Sequence, residues 1–308
     1  FSSNILKEKQ KEIQSENKKA SSIFNEFSKA LDAFDQRNNL LIASFGNAFF
    51  LWELKCAIKV EKWINLYSHT VEQWLDVITF FDAKNSLANF CFNHPNYVFP
   101  EIAEDSSIIK SQKLGHPLLN SENRIDNDFE IDKNSFLIVT GANMAGKSTF
   151  LRTISLSIVM ANMGLPVCAN SFKYKPVKLI TSMRTSDSLA ENESYFYSEL
   201  KRLKLIVDTI QKDDYFIVLD EILKGTNSKD KASGSKKFVK KLVALNSTGI
   251  IATHDVSLCE LENDFKEIKN FFFDAKVSNN ELSFDYLFKK GVCENMNASF
   301  LLKKMEIL

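Results

Sequence analysis

The segment SFLIVTGANMAGKSTFLRTISL carries Gly141-x-x-x-x-Gly146-Lys147-Ser148. It lies directly after a run with strand character and directly before a helical pattern, the context in which a polyphosphate is cradled by backbone. Gly141 and Gly146 let the chain turn and approach an anion with no Cβ in the way. A helix starting near Lys147 aims unpaired N–H groups and its positive dipole end at that anion. Lys147 supplies a cation for the β- and γ-phosphates, and Ser148 a hydroxyl for Mg2+. The candidate set for binding ATP with Mg2+ is therefore Gly141, Ala142, Asn143, Met144, Ala145, Gly146, Lys147, Ser148 and Thr149. A strand-to-helix turn that binds nothing would share the glycines, but not the complete pattern in this context.

Two acids end a second strand-like run, YFIVLDE. Neighbouring strand residues point to opposite faces. At the carboxyl end of a parallel sheet, however, the backbone turns, and both can reach the crevice where ligands bind. Asp220 then fits a Mg2+-holding aspartate, and Glu221 is placed to orient and deprotonate a water. Alone, such a pair would equally suit a solvated loop. A third run, GIIATHD, sets His254 just past its end, where a histidine can hydrogen-bond a γ-phosphate or the attacking water. The candidate catalytic residues are thus Lys147, Glu221 and His254. His69, His94 and His116 have no ligand-like spacing.

The elements that must position these residues follow from periodicity. Ser135 to Val139, Tyr215 to Asp220 and Gly249 to Thr253 are continuous apolar runs of strand length, as in buried parallel strands. Between them lie helical spacings: Leu151, Ile154, Ile158; then Phe196, Leu200, Leu203, Val207, Ile210; then Phe238, Leu242, Leu245. The alternation predicts an α/β domain. NFFFDAKV and ELSFDYLF flank Ser278-Asn279-Asn280 and predict a hairpin. Residues 1 to about 92 read as helix almost throughout, with Phe24, Phe27, Leu31 and Phe34 on one stripe and Trp74, Val77, Ile78 and Phe81 on another. Pro95 and Pro100 break that pattern, so the predicted domains are a helical region over 1–97 and an α/β domain over 98–308.

The bulk composition bounds the partners. The chain has 308 residues, 44% hydrophobic and 25% charged, so a packed core is expected rather than disorder. Lys+Arg and Asp+Glu are both 39, and a nucleic-acid contact would have to be local or lie outside this chain. Cys56, Cys91, Cys168, Cys259 and Cys293 form no CxxC pair, which argues for reduced thiols rather than a zinc site or disulfide framework. The most apolar stretch, Leu40 to Val60, contains Glu53 and Lys55 and is expected as a buried helix rather than a bilayer span. No signal peptide precedes the opening Phe1, and the chain reads as a fragment.

The motifs together resemble the MutS family of DNA mismatch repair proteins, over roughly residues 95 to 308. The family's TGPNMGGKST loop stands here as TGANMAGKST, Thr140 to Thr149, and its DEIGRGTS as DEILKGTNSKD, Asp220 to Asp230. Its ATH strand end is Ala252-Thr253-His254, and its DDLA…STF…E segment is DSLAENESYFYSE, Asp187 to Glu199. GHPLL, Gly115 to Leu119, resembles an upstream HP element, and the tail KKGVCENMNASFLLKKM resembles the family's glycine-led segment. The helical part resembles the end of the family's lever region more weakly.

The resemblance implies a P-loop NTPase of the ABC type preceded by an all-α helical region. It implies ATP and Mg2+ as cofactors, a homodimer paired head to tail through the ATPase domains, DNA of mismatched or distorted form as partner, and a cytoplasmic, nucleoid-associated location. No membrane contact is expected. Ser194 would reach the γ-phosphate bound by the other subunit, Thr226 and Asn227 would line the same interface, and Asn143 would contact the nucleotide. Departures from the pattern are Ala142 and Ala145 for Pro and Gly, Leu223-Lys224 for Gly-Arg, Asp255 for an aromatic, and Arg124 for an adenine-stacking Phe. Two other classes compete. A membrane-transporter ATPase would carry LSGGQ ahead of the acidic pair, where this chain has none. An ATP-operated structural switch would turn over little, against which Glu221 argues. An ABC-type ATPase serving recombination or junction processing is the remaining alternative.

Overall fold

The computed structural model describes residues 3–15, 18–36, 42–183, 195–278 and 281–294. The chain divides into two compact units, Phe1–Asn93 and His94–Leu308. In the first, α1 (Asn4–Glu12) leads through a two-stranded ribbon of β1 (Gln14–Ser15) and β2 (Lys18–Lys19) into α2 (Ala20–Asp35). A π-helical turn (Ile42–Gly46), α3 (Asn47–Phe50) and the long α4 (Trp52–Asn93) complete it. The ribbon and the break at Leu51, whose φ is 50°, interrupt the near-continuous helix expected from composition.

The aromatic stripe of α2 packs on α4. Phe27 stacks on Trp63 at 4.0 Å, Phe24 meets Trp74 edge-on at 5.2 Å, and the Trp63 indole donates to the Ile23 carbonyl at 3.0 Å. Trp74 and Val77 are buried accordingly, but Ile78 and Phe81 of the same stripe are exposed. The expectation of a buried helix over Leu40 to Val60 is corrected for the described part, since Leu40 and Leu41 lie outside the described residues. Phe45, Phe49, Phe50, Leu54 and Ile58 are exposed within it. A segment apolar on all sides needs cover on all sides, and α2 covers one face of α4. Among the described residues no helix is long and apolar enough to cross a membrane.

The second unit has α/β architecture, and among the described residues its strands form a four-stranded sheet, a six-stranded sheet and a two-stranded hairpin. β3 (Glu101–Ile102), β4 (Ser107–Leu114), β5 (Asn127–Asp132) and β7 (Ser171–Tyr174) form the first, in the order β3-β7-β4-β5. The six-stranded sheet has the order β14-β11-β6-β10-β9-β8 and contains β6 (Phe136–Gly141), β8 (Lys178–Ser182), β9 (Tyr215–Asp220), β10 (Thr248–Ala252), β11 (Ile268–Phe273) and β14 (Lys289–Lys290). All its pairings are parallel except β11 with β14. β6 and β10 are buried at every position, as their unbroken apolar runs require. Among the described residues of this unit the helices are α5 (Lys147–Asn162), α6 (Tyr195–Ile210), α7 (Ser228–Ala244) and the short α8 (Leu261–Asp264), which follows a 3-10 turn at Val256–Glu260. β12 (Ala275–Ser278) and β13 (Glu281–Phe284) pair antiparallel as the expected hairpin, whose Asn279 and Asn280 lie outside the described residues.

Leu203 and Ile206 of α6, with Val239 and Leu242 of α7, pack on Ile138, Ile217, Leu219 and Ile251 of the parallel strands. Gly249 shows how tightly the strands fit. A Cβ there would lie 2.5 Å from the Ile217 carbonyl oxygen and 2.8 Å from the Ile217 Cβ. Backbone of a neighbouring strand cannot yield as a side-chain tip can. Gly249→Ala is therefore expected to cost about 1–3 kcal/mol, read as a lower denaturant midpoint at unchanged m-value.

Candidate functional site

Three neighbouring parallel strands end at one edge of the sheet. β6 ends at Gly141, β9 at Asp220, and β10 at Ala252, two residues before His254. β6 pairs with β10 and β10 with β9, and Ala252 is the register partner of Asp220. The topology thus brings together three segments that the sequence spreads over more than a hundred residues. Open parallel sheets place ligands at this carboxyl edge.

From Gly141, at φ 147°, the chain turns through Met144 (φ 66°) and Gly146 (φ 103°) into α5. Gly146 is the N-cap and offers no side chain, so nothing of its own caps the first N–H groups of this 16-residue helix. Residues 143–149 line a cavity of about 490 Å³, within the range of roughly 300–1,000 Å³ usual for ligand sites. Ala142 and Ala145 are buried, whereas Asn143 and Met144 are exposed at the mouth. Ala145 has no positive φ, so a methyl in place of the family's glycine introduces no backbone strain.

Lys147 is buried and donates to the carbonyls of Gly141 at 2.7 Å and Ala142 at 2.8 Å. Burial lowers its pKa from 10.5 to about 8, against the opposing pull of Glu221 and Asp220. Ser148 and Thr149 lie on the cavity wall beside it. Asp220 is buried at the end of β9.

Glu221, the next residue, has left the strand: its φ is 52°, and its N–H donates to the Ala252 carbonyl at 2.9 Å. That reversal turns its side chain into the cavity, as adjacency alone would not. Glu221 Oε1 lies 2.7 Å from His254 Nε2, and Oε2 lies 3.4 Å from Lys224 Nζ. The His254 hydrogen bond, opposed by burial, holds the Glu221 carboxyl down at about 2. His254 Nε2 is also 3.5 Å from Lys147 Nζ. With Nε2 donating to Glu221 it has no lone pair for Lys147, so the latter contact is proximity rather than a hydrogen bond.

Other departures from the family pattern have local explanations. Leu223, where the pattern has glycine, holds φ 59° with its side chain buried, and its Cδ1 would stand 2.6 Å from a Cβ on Gly234. Asp255 caps the 3-10 turn, accepting from Ser257 N at 3.0 Å. Arg124 lines the cavity and is held by two hydrogen bonds to Asp126, at 2.6 and 3.2 Å. Asn227 caps α7, accepting from Asp230 N at 2.9 Å. Ser194 lies outside the described residues.

Two further wall residues, His116 and Asn127, had no chemistry assigned to them by spacing. His116, which carries no ligand-like spacing, lines the cavity, and burial with Arg152 and Arg124 nearby lowers its pKa. Asn127 ties down the opposite wall. Its amide donates to the Tyr286 carbonyl at 3.0 Å and accepts from Phe288 N at 2.7 Å. Those partners are 159 and 161 residues away, beyond any spacing rule.

This unit can receive an anion at an uncapped helix terminus beside a buried cation, and it holds a carboxylate and a histidine across the same cavity. Residues 137–303 match the family model described as MutS domain V. The chain is 31% identical to MutS protein homolog 4 of Homo sapiens over 78% of this chain and 26% of that protein. It is 30% identical to the DNA mismatch repair protein MutS of Methanosarcina mazei over 81% of this chain and 28% of that protein. It is 31% identical to the protein of the same name from Thermotoga maritima, over 69% and 27%. The chain thus spans between a quarter and three-tenths of the length of these relatives. With more than half of its residues matched by the family model, the chain belongs to the MutS family.

Proposed function

We propose that this chain is the ATP-hydrolysing part of a mismatch-repair-type protein, a P-loop ATPase of the ABC type that works as a head-to-tail pair and controls a DNA-binding clamp. One observation carries the reading. The uncapped start of α5 and the buried Lys147 face a cavity that Glu221 and His254 also line. In that cavity the N–H groups of residues 143–149 and the Lys147 ammonium would receive the phosphates of ATP. The base would lie toward His116 and Arg124. Ser148 and Asp220 would hold Mg2+, which neutralises phosphate charge when bound.

Glu221 would orient the attacking water and take its proton. A carboxylate held at about 2 is a weak base, so this role calls for its hydrogen bond to His254 to lengthen or break as the site closes. His254 would then be released toward the γ-phosphate. Ser194 would complete the site from the partner subunit. DNA as partner and the helical unit as lever-like region rest on family membership, since the formal net charge is +0.

Steady-state hydrolysis by this chain with Mg2+, with EDTA in its place, and with mismatched, junction and plain duplexes over a salt series tests the proposal. Turnover that requires Mg2+ and responds to DNA in a salt-dependent way is expected. Flat calorimetry with ATP and Mg2+ would remove it.

A further inference from the structure

The turn that carries Glu221 is strained twice, at Glu221 (φ 52°) and Leu223 (φ 59°), neither of them glycine. Such conformations persist where surrounding contacts impose them. The Ala252 carbonyl of β10 holds Glu221, and the contacts on the rest of the turn come from α6. Glu199, on the second turn of that helix and 3% exposed, accepts from Leu223 N at 2.6 Å through Oε1 and from Lys224 N at 3.0 Å through Oε2. A second contact lies two residues on. A Cβ on Gly225 would stand 2.8 Å from the Phe196 Cβ and 3.2 Å from its Cα, so the turn rests on the helix backbone itself. The helix is in turn fixed to the sheet, since Arg202 donates to the Thr181 carbonyl of β8 from Nε at 2.9 Å and Nη2 at 2.6 Å.

The path from Glu199 to the cavity is short. Lys224, whose N–H Glu199 holds, places its ammonium 3.4 Å from Glu221 Oε2, while His254 holds Oε1. One carboxylate oxygen of Glu221 is thus set through the histidine and the other through the latched turn. Two N–H donors at these distances make charge-assisted hydrogen bonds, the strong class. A buried carboxylate used this way, on a turn that would otherwise relax, does more than fill space.

We propose that Glu199 is a positioning residue: through the backbone of Leu223 and Lys224 it fixes the orientation of the Glu221 carboxylate, and with it the rate of hydrolysis. The inference rests on the reading of Glu221 given above. It makes α6 a mechanical connection to the hydrolytic group, so that displacement of this helix would change turnover without touching the phosphate loop.

The test is Glu199→Gln, which keeps the shape and one acceptor and sets an NH2 donor against the other N–H. It is measured beside wild type, Glu221→Gln and the double variant, with kcat, KM for ATP, nucleotide Kd and the unfolding midpoint for each. The expected result is a kcat at least tenfold lower with KM and Kd within twofold of wild type, while the unfolding midpoint falls modestly because a buried donor is left facing an N–H. The double variant should hydrolyse no more slowly than Glu221→Gln alone in single turnover. An unchanged kcat overturns the proposal. So does a parallel loss of stability and nucleotide affinity, which is the signature of a merely structural role, and so does a further drop in the double variant. A wild type that does not hydrolyse ATP, or a Glu221→Gln protein as fast as wild type, would instead overturn the reading of Glu221. Glu199→Ala, which removes both acceptors, is a second variant; if it fails to fold, the Gln variant decides.

Discussion

Lys147→Ala is expected to lose nucleotide binding by at least tenfold and hydrolysis entirely. A hydrogen bond between charged groups contributes about 1.5–3 kcal/mol, and Lys147 would make such bonds to two phosphates from a buried position. The same change should cost little stability. It deletes hydrogen bonds to Gly141 and Ala142 but also a cation whose burial is unfavourable. Calorimetry with ATP and Mg2+ beside thermal unfolding checks both halves. An alanine variant that binds ATP like wild type would sink the phosphate assignment.

The lowered pKa of Lys147 adds a signature in pH. Its value is about 8 in the folded chain against 10.5 ordinarily. Between these the unfolded chain binds more protons, so the contribution of Lys147 to stability rises with pH through this window. Nucleotide affinity should move the other way. Below about pH 8 the ammonium is present, and above it binding must first take up a proton, so affinity falls as pH rises. Stability rising while affinity falls over the same window, with both trends absent in Lys147→Ala, is specific to this lysine. Affinity that stays level up to pH 10 would count against it.

Glu221→Gln should bind ATP with near-wild-type affinity and hydrolyse it about 10²–10⁴-fold more slowly, the range for loss of a positioned general base. Because hydrolysis is what would release the pair, this variant should accumulate as an ATP-dependent dimer in size-exclusion chromatography. Its acid sensitivity should change as well. The folded Glu221 carboxyl sits near 2 against 4.5 ordinarily, chiefly through His254. Its stabilising contribution is present above pH 4.5 and is lost as pH falls toward 2. Glu221→Gln should flatten that part of the acid-unfolding curve. Wild-type turnover in the Gln variant would move the water-orienting role to another residue, His254 first.

Local rules read part of this molecule without its coordinates. The apolar runs of β6, β9 and β10 are strands because a strand buried on both faces needs no polar alternation. Gly141 and Gly146 mark the turn because left-handed backbone favours glycine, and both have positive φ. The same rules failed over Leu40 to Val60. Hydropathy reports a preference for burial, and whether a partner exists to bury the segment is a property of the whole chain.

Helix, strand and turn preferences act within a few residues, so the order of residues along the chain is enough to place the strands, the helices and the glycine-bounded turn. Long-range packing is what turns Glu221 into the cavity against His254, brings Asn127 to Tyr286 across 159 positions, and lets Glu199 grip the turn beyond Asp220. Parallel pairing of β9 with β10 sets the first of these neighbours, the second joins β5 to a residue outside the strands, and the third joins α6 to the turn after β9. Each depends on how elements far apart in the chain bury their apolar faces against one another, which preferences acting over a few residues do not specify.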